Sequence, residues 1–232
     1  MKNIAIIPAR GGSKRIPKKN IKLFLGKPVI AYSIEAALNS KLFDEVMVST
    51  DDTEIAEIAQ QYGAKVPFLR SETASNDFAT TADVLIEVLE SYKKLSKEFN
   101  YTCCIYPTAV FVTPEKLQTA FNLLTQKKYS SVFPIMPFSY PIWRSLKIEN
   151  EKLSMNFPEY QNSRSQDLPM AYQDAGQYYF FKPEVLYEEK TLLTSNSHGI
   201  IIDDIHGQDI DNLTDWKMAE IKYKLIHNHD KP

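Results

Sequence analysis

The chain begins with the sequence NIAIIPARGGSKRIPKKN at residues 3–20, an apolar run followed directly by a basic loop that contains two glycines. Asn3–Pro8 has the length and the Ile-rich composition of a buried strand. A loop at the carboxyl end of such a strand projects over the edge of an open α/β sheet, where ligands bind in that class of fold. The stretch therefore predicts an α/β fold with a ligand site beside the first strand.

Short β-type runs alternate with longer amphipathic segments along the rest of the chain, as in βαβ units that build a mostly parallel sheet covered by helices on both faces. From composition and length we predict strands at Asn3–Pro8, Glu45–Thr50, Lys65–Leu69, Tyr101–Tyr106, Ser131–Ile135, Gln177–Phe181 and Gly199–Asp203. From apolar residues at every third or fourth position we predict helices at Val29–Ser40, Thr53–Tyr62, Thr80–Glu98, Pro114–Gln126 and Asn212–Ile226.

Residues 137–172 break this alternation, because they are polar and rich in Pro, Asn, Ser and aromatic residues. A hairpin-like pattern is present only around Arg144–Met155. We interpret 137–172 as a lobe inserted into a single domain that covers residues 1–232. Long excursions of this kind are commonly functional, so the lobe is expected to form a lid, a subunit contact or both.

The overall composition argues against nucleic acid and membranes as binding partners. With 27 basic and 29 acidic residues the net charge is −2, which gives no general basic field to attract nucleic acid or a membrane surface. No stretch approaches the ~18–20 apolar residues of a membrane span, and the first apolar run is too short for a signal peptide. Cys103 and Cys104 are adjacent in an apolar run, so we expect small buried side chains rather than a disulfide or zinc site. A reducing cytoplasm fits this chain best.

The loop from Ala9 to Asn20 holds five basic residues and no acidic one. Its Gly11-Gly12 pair would let backbone N–H groups approach an anion, and the composition suits a triphosphate. The spacing matches neither a P-loop nor a dinucleotide-binding fingerprint. A solvated basic turn or a nucleic-acid contact is the alternative.

Five aspartates lie within thirteen residues that contain no Lys or Arg, at Asp203, Asp204, Asp209, Asp211 and Asp215. In an extended segment, Asp209 and Asp211 project to one side while Ile210 projects to the other. Mg²⁺ commonly binds one or two carboxylates together with substrate phosphates and waters, so we predict a Mg²⁺ site at Asp209 and Asp211. The alternative is an acidic turn that only complements the dipole of the last helix.

Residues 7–20 resemble the signature loop of the CMP-sialic acid synthetase family, the CTP-dependent cytidylyltransferases of nonulosonic acids. The resemblance continues through most of the chain, at Val48-Ser49-Thr50-Asp51-Asp52, Arg70-Ser71-Glu72, Ala74-Ser75-Asn76-Asp77, Gln166-Asp167-Leu168-Pro169 and Asp209-Ile210-Asp211. It implies a Rossmann-like fold of the nucleotide-diphospho-sugar transferase type with a dimerisation lobe. It also implies a requirement for Mg²⁺ as cofactor, CTP and an acidic nine-carbon sugar as substrates, pyrophosphate as product, and a homodimer.

The resemblance also implies the roles of individual residues. The catalytic residues would be Arg10, Lys14, Lys19 and Asp211, with Asp211 favoured for assisting deprotonation of the sugar hydroxyl. Nucleotide-binding residues would be Ala9, Arg10, Gly11, Ser13, Lys14, Asn20, Arg70 and Asp77. Metal ligands would be Asp209 and Asp211. Sugar-binding residues would be Tyr106, Thr108, Gln166, Tyr172 and Gln177.

Two departures from the sialic acid pattern bear on the sugar. Residues 106–112 read YPTAVFV where sialic acid enzymes have QPTSPLR, and residues 172–179 read YQDAGQYY. Together with RSQDLP at 164–169, they resemble the pseudaminic acid branch. Pseudaminic acid lacks the terminal hydroxyl and carries two acylamino groups, so we hypothesise a less polar pocket made by Tyr106, Val110 and Val112.

Several alternatives stay open at this point. N-acetylneuraminic acid, legionaminic acid or Kdo could be the sugar, with the same CTP chemistry and a different pocket. The chain could also be a nucleotide-binding homologue without turnover. Tyr106 and Gln177 could be ordinary residues of a sheet.

Overall fold

The computed structural model describes residues 2–228; Met1 and residues 229–232, which the single-domain prediction includes, lie outside the described residues. The strands are β1 (Asn3–Pro8), β2 (Leu23–Phe24), β3 (Lys27–Pro28), β4 (Glu45–Ser49), β5 (Tyr101–Ile105), β6 (Ser131–Pro137), β7 (Leu146–Glu149), β8 (Lys152–Met155), β9 (Tyr172–Asp174), β10 (Tyr178–Phe181) and β11 (Ser197–Ile201). The helices are α1 (Val29–Ser40), α2 (Thr53–Gln61), α3 (Glu72–Ser75), α4 (Thr81–Lys94), α5 (Pro114–Gln126), α6 (Pro183–Glu189) and α7 (Leu213–Asn228).

Seven strands form the central sheet, in the order β11-β6-β10-β5-β1-β4, with β9 pairing on β6. Strand β1 pairs in parallel with both β4 and β5, whereas β10 runs antiparallel between β5 and β6. Strand β11 is parallel to β6, and β9 is antiparallel to it. The predicted mostly parallel sheet flanked by helices is confirmed, with two antiparallel members.

Both faces of the sheet are buried, which explains why β1 is apolar at consecutive positions. Ala5 and Ile7 pack on one face with residues of α1, α2 and α5, and Ile4 and Ile6 pack on the other with residues of α4 and α6. Cys103 and Cys104 fall on opposite faces of β5 as free, fully buried thiols. The expectation of small buried side chains at these cysteines is therefore confirmed.

Some element predictions were wrong. Instead of a strand at Lys65–Leu69, the chain makes one bridge between Lys65 and Met47, at the edge of the sheet beside β4. Pro67 has no N–H group to continue the ladder beyond that bridge. Helix α4 ends at Lys94 rather than at position 98, because Ser96 adopts a left-handed conformation with φ of 58°. The short elements α3, α6 and β9 were not predicted.

A third apolar cluster joins parts of the chain that are far apart in sequence. It contains Ile16, Phe24, Val29, Val110, Phe111, Ile210, Trp216 and Ala219. The Phe24 ring lies at its centre, in edge-to-face contact with Tyr32, Trp216 and Tyr223 at centroid distances of 5.5, 5.7 and 5.6 Å. The cluster fixes α7 against the segment that follows the basic loop.

Residues 137–172 leave the sheet at the end of β6 and return to it at β9. Between these points β7 and β8 form a separate two-stranded hairpin. Trp143 packs on Phe157 and Tyr160, and its indole N–H donates a hydrogen bond to the Pro169 carbonyl oxygen at 2.8 Å. Across residues 2–228, the structure contains no helix with the length and hydropathy needed to cross a bilayer.

The third cluster gives a test of what holds α7 in place. Phe24→Ala removes a fully buried ring, and we expect it to lower the free energy of unfolding by about 3–5 kcal/mol. Phe78 is 93% exposed, so Phe78→Ala should change the free energy of unfolding by less than about 0.5 kcal/mol. Urea denaturation of the two variants and the wild type measures both values. Equal losses would show that the cluster does not stabilise the fold.

Candidate active site

A cleft of about 600 Å³ opens at the carboxyl ends of β1 and β5. Its walls are the basic loop, the residues that follow β5, the first residue of α4 and the acidic segment before α7. The lining residues are Pro8, Arg10, Ser13, Lys14, Arg15, Ile16, Lys19, Asn20, Thr81, Tyr106, Pro107, Thr108, Asp209 and Asp211.

The structure brings many of the predicted site residues together in this cleft. They are Arg10, Ser13, Lys14, Lys19, Asn20, Tyr106, Thr108, Asp209 and Asp211. The lining does not include Ala9, Gly11, Arg70, Asp77, Gln166, Tyr172 or Gln177. Basic residues of the N-terminal loop and the acidic pair therefore face one cavity, although about 190 residues separate them in sequence.

Backbone and amide contacts fix the shape of the basic loop. Ala9 is fully buried, and its N–H donates to the Ser49 carbonyl oxygen at 2.9 Å. The Gly11 N–H donates to Asp51 Oδ1 at 2.9 Å, and a Cβ at Gly11 would lie only 2.7 Å from Asp52 Oδ2. Asn20 Nδ2 donates to the Arg10 carbonyl oxygen at 2.9 Å. Ala9, Gly11 and Asn20 thus hold the loop against β4 and the start of α2.

Two loop cations are tied to the acidic segment. Arg15 lies 2.9 Å from Asp211 Oδ1. Lys19 donates to the Ile210 carbonyl oxygen at 2.7 Å and lies 3.9 Å from Asp211 Oδ1. Burial lowers the pKa of Lys19, while the carboxylates of Asp211 and Asp209 oppose that shift. Lys19 is therefore a half-buried cation held directly beside the acidic pair.

The other two cations of the cleft share one carboxylate. Arg10 Nη1 lies 3.0 Å from Asp77 Oδ1, and Lys14 Nζ lies 2.5 Å from Asp77 Oδ2. Asp77 sits outside the cleft lining, on the segment between α3 and α4. The hydrogen bond from Lys14 and then the one from Arg10 hold the pKa of the Asp77 carboxyl below its usual range.

The acidic pair faces the cleft because the residue between its members is buried. Ile210 is 1% exposed and belongs to the third apolar cluster. Burial raises the pKa of Asp209, and the negative charge of Asp211 raises it further. Asp215 Oδ2 accepts hydrogen bonds from the N–H groups of Asp211 and Asn212, which fixes the turn into α7.

This donor set fits Mg²⁺ better than a metal held by protein ligands alone. Within residues 2–228 no group of three or more His, Cys, Asp or Glu side chains could enclose an ion. Mg²⁺ typically takes one or two carboxylates and completes its shell with substrate phosphates and waters. A divalent cation would also relieve the repulsion that raises the pKa of Asp209.

Arg70 lies beside the end of β4 rather than in the cleft wall. Its Nε donates to Ser49 Oγ at 3.0 Å and its Nη2 to the Ser49 carbonyl oxygen at 2.5 Å. The backbone N–H of Arg70 also donates to the Thr50 carbonyl oxygen at 2.8 Å. Both the backbone and the side chain of Arg70 are therefore hydrogen-bonded to the end of β4. Burial lowers the pKa of this guanidinium.

The remaining predicted sugar residues lie elsewhere. Gln166 is exposed in a short turn of the 137–172 segment, and Tyr172 is 42% exposed on β9. Gln177 is buried; its Nε2 donates to the His206 carbonyl oxygen at 2.6 Å, and its Oε1 has no hydrogen-bond partner within residues 2–228. Gln177 therefore ties β10 to the segment that leads to the acidic pair.

The hypothesis that Val110 and Val112 face the sugar was wrong. Val110 is buried in the third cluster, and Val112 is buried against the helices on the opposite side of the loop. Beyond the end of β5 the chain forms a turn, and this turn directs both valines into apolar clusters rather than into the cleft.

Sequence reasoning missed Arg15 and Thr81 as residues of the cleft. The opposite charges of the two motifs could have suggested the Arg15–Asp211 pair, whereas nothing in the sequence marks Thr81. Thr81 Oγ1 lies 3.1 Å from the Tyr106 hydroxyl oxygen, and burial raises the pKa of Tyr106 to about 12. The same two residues also line a second cleft of about 340 Å³, with Phe133, Asp174, Tyr179, Lys190 and Leu192 among its other walls.

Comparison with known proteins identifies the family of the chain. A sequence model of the family described as "Cytidylyltransferase" matches residues 4–209. Pseudaminic acid cytidylyltransferase of Campylobacter jejuni is 42% identical over 228 residues, covering 98% of each chain. CMP-N,N'-diacetyllegionaminic acid synthase of Legionella pneumophila is 34% identical over 224 residues, covering 95% of each.

A solved structure supports the fold. CMP:2-keto-3-deoxy-manno-octonic acid synthetase complexed with CTP superimposes with a TM-score of 0.71 at 18% identity, covering 98% of this chain and 100% of that one. The family match covers nearly the whole of the chain described above and reaches Asp209 in the cleft. The chain belongs to the cytidylyltransferase family.

Proposed function

We propose that this enzyme transfers the cytidylyl group of CTP to a nonulosonic acid, with pseudaminic acid as its preferred sugar. The proposal rests on one observation, that three loop cations and two carboxylates line the same cleft. These residues are Arg10, Lys14, Lys19, Asp209 and Asp211. A metal–triphosphate site requires both signs of charge, cations for the phosphates and carboxylates for the metal. The sugar is taken from the 42% identical relative named for pseudaminic acid.

In this proposal the triphosphate contacts Arg10, Ser13, Lys14 and Lys19. Ala9 and Gly11 contribute by holding the loop in shape, because their N–H groups are already bonded to protein atoms. Asn20 lines the cleft, and its Nδ2 supports the loop through the Arg10 carbonyl oxygen. Nε and Nη2 of Arg70 are bonded to Ser49, and contact of its guanidinium with the nucleotide stays a prediction. Asp209 and Asp211 would hold Mg²⁺, which when bound supplies positive charge to phosphate oxygens.

The sugar would lie against Tyr106 and Thr108, which line the cleft opposite the loop. Tyr106 is also shared with the second cleft, so a substrate seated there has room to extend past it. Contacts of the sugar with Gln166, Tyr172 and Gln177 stay predictions. The proposal includes a cytoplasmic location, which agrees with two cysteines that stay as free thiols.

The reaction is an in-line displacement at the α-phosphorus. The anomeric hydroxyl oxygen of the sugar forms the new P–O bond, the bond to the β-phosphate breaks, and pyrophosphate leaves with its electron pair. We assign the hydroxyl proton to Asp211. Arg10, Lys14 and Lys19 stabilise the charge that develops on the phosphates.

A substrate panel tests the proposed function. Pyrophosphate release with CTP and Mg²⁺ should be faster with pseudaminic acid than with N-acetylneuraminic acid or N,N'-diacetyllegionaminic acid by about tenfold or more in kcat/KM. Excess EDTA should abolish the release. Preference for another of these sugars would support the proposed cytidylyl transfer but would contradict pseudaminic acid as the preferred sugar. CTP binding without pyrophosphate release from any acid sugar would indicate an inactive homologue.

The acidic pair gives a second test. Asp211→Asn removes the proposed proton acceptor and a metal ligand, so kcat should fall by about 10²-fold or more. Its side chain is 40% exposed, so thermal unfolding should change little. Asp203→Asn is the matched control, because Asp203 is an exposed aspartate of the same region that does not line the cleft. Unchanged kcat in Asp211→Asn at saturating Mg²⁺ would remove Asp211 from the mechanism.

We also propose that the enzyme is a homodimer joined through the β7–β8 hairpin. Cross-strand pairing places Leu146 opposite Met155 and Ile148 opposite Leu153, so these four side chains share one face. Leu146, Ile148 and Leu153 are 58%, 73% and 69% exposed. An isolated two-stranded hairpin is marginally stable in water, so an apolar face of this kind favours a partner surface.

Sedimentation velocity tests this assembly. Leu153→Asp should convert a dimer to a monomer at micromolar concentration, because a buried carboxylate would be left without a partner. Lys147→Glu changes a residue on the opposite face of the hairpin and should leave the dimer intact. A wild-type monomer, or a Leu153→Asp dimer, would contradict the proposal.

A further inference from the structure

Asp77 is bound by two cations of the cleft at once. Arg10 and Lys14 each donate to a different oxygen of its carboxylate, at 3.0 and 2.5 Å. These are the residues that the proposed function assigns to the triphosphate. In the free protein, therefore, a side-chain anion already accepts one hydrogen bond from each of these two cations.

The segment that carries Asp77 is held in place on both sides. Asn76 Oδ1 accepts hydrogen bonds from the N–H groups of Phe78 and Ala79, at 2.8 and 2.9 Å, which makes a tight turn around Asp77. Downstream, Thr80 and Asp83 form a capping box at the start of α4. Upstream, the N–H and the hydroxyl of Ser71 both donate to Glu87 of α4. The carboxylate is thus presented to the loop by a preformed turn.

Without Asp77, Arg10 and Lys14 would be two like charges on one loop with no other ion-pair partner among residues 2–228. Like charges repel, and their long side chains are free to turn into solvent. The shared carboxylate removes that repulsion and holds both side chains beside the cleft. The carboxyl of Asp77 is ionised at neutral pH, as for any exposed aspartate, and the two cations lower its pKa further.

A polyphosphate can replace this carboxylate, since it carries several negative charges and more acceptor oxygens than one side chain. Asp77 itself cannot remain bonded to Arg10 and Lys14 while both bind phosphate oxygens in the same directions. A carboxylate that stayed close would repel the polyphosphate. The geometry therefore fits competition between Asp77 and the polyphosphate better than direct binding of the nucleotide by Asp77.

We propose that Asp77 is an exchangeable internal counter-ion, which positions Arg10 and Lys14 in the empty enzyme and yields them to the triphosphate. When pyrophosphate leaves, the carboxylate takes the two cations back, which favours release of the product. This inference rests on the proposed function, because it requires the loop to bind polyphosphate. Asp77 is a positioning residue in this scheme and does not touch the reacting atoms.

Isothermal titration with pyrophosphate and Mg²⁺ tests the exchange. Asp77→Asn removes the competing charge, so we expect it to bind pyrophosphate and CTP about three- to tenfold more tightly than the wild type. In turnover, inhibition by pyrophosphate should strengthen by a similar factor. Asp77→Glu should restore the wild-type affinities. The gain from Asp77→Asn should shrink as NaCl rises, because exposed charges are screened by salt.

Glu54→Gln is the matched control. Glu54 pairs with Lys18 on the same loop, but Lys18 does not line the cleft. This variant changes the net charge by the same amount, so its pyrophosphate affinity should stay within about twofold of the wild type. Asp77 is exposed, and circular dichroism melting should show both variants folded. Asp77→Ser repeats the test with a smaller neutral side chain.

The outcomes separate the two proposals. Equal or weaker pyrophosphate binding by Asp77→Asn and Asp77→Ser, with normal binding by the wild type, would overturn the counter-ion role alone. An equal gain in Glu54→Gln would also overturn it, since net charge would then explain the result. Wild-type protein that binds neither CTP nor pyrophosphate would overturn the proposed function and this inference with it.

Discussion

The cleft depends on the burial of Ile210 in the apolar cluster that also contains Ile16 and Trp216. This contact joins a residue of the basic loop to residues near the end of the chain, and it leaves Asp209 and Asp211 facing the loop cations. The Lys19 ammonium adds a hydrogen bond to the Ile210 carbonyl oxygen at 2.7 Å. Without the apolar contact, the two charged segments would be joined mainly by this hydrogen bond and the Arg15–Asp211 ion pair.

Magnitudes show which interaction determines this arrangement. Full burial of one Ile side chain contributes about 1.5–3 kcal/mol, whereas an exposed ion pair contributes about 0–1 kcal/mol. The Arg15–Asp211 pair belongs to the second class, with side chains 68% and 40% exposed. The apolar cluster therefore positions the carboxylates, and the ion pairs adjust their orientation. Charged groups are left accessible for substrate because they are not needed to hold the fold.

Much of the fold could be predicted because local pattern and tertiary environment agree. The predicted bounds of β1, α1 and α5 are those of the structure. Strand β1 is a short apolar run buried on both faces, and α1 and α5 each have a buried face that repeats at the helical period. Pattern failed at Lys65–Leu69, where composition suggests a strand but Pro67 cannot donate to a ladder. The family match and the 42% identical relative confirm the resemblance to cytidylyltransferases of nonulosonic acids. That resemblance was reliable because it rested on several separate motifs.

The sequence predicted those residues of the site that belong to recognisable motifs. The loop cations and the acidic pair stand out by charge, and both line the cleft. Thr81 enters it through a tertiary contact that no local pattern encodes, whereas the charge of Arg15 could have suggested its pairing with Asp211. Val110 and Val112 were assigned to the sugar pocket from the sequence pattern of related enzymes, but both side chains are buried in the core.

Tyr106 shows how the same framework can set a substrate preference. Its N–H donates to the Gln177 carbonyl oxygen at 2.8 Å, and its carbonyl oxygen accepts from Ser33 Oγ at 2.8 Å, so its backbone is fixed. Its hydroxyl is 3.1 Å from Thr81 Oγ1, and its ring packs edge-on against Tyr179 at 5.5 Å. The hydroxyl thus already has a partner, and the wall offers a substrate mainly the ring. A sugar hydroxyl pressed against that ring would lose its water without gaining a bond, which costs free energy, whereas a deoxygenated carbon loses nothing.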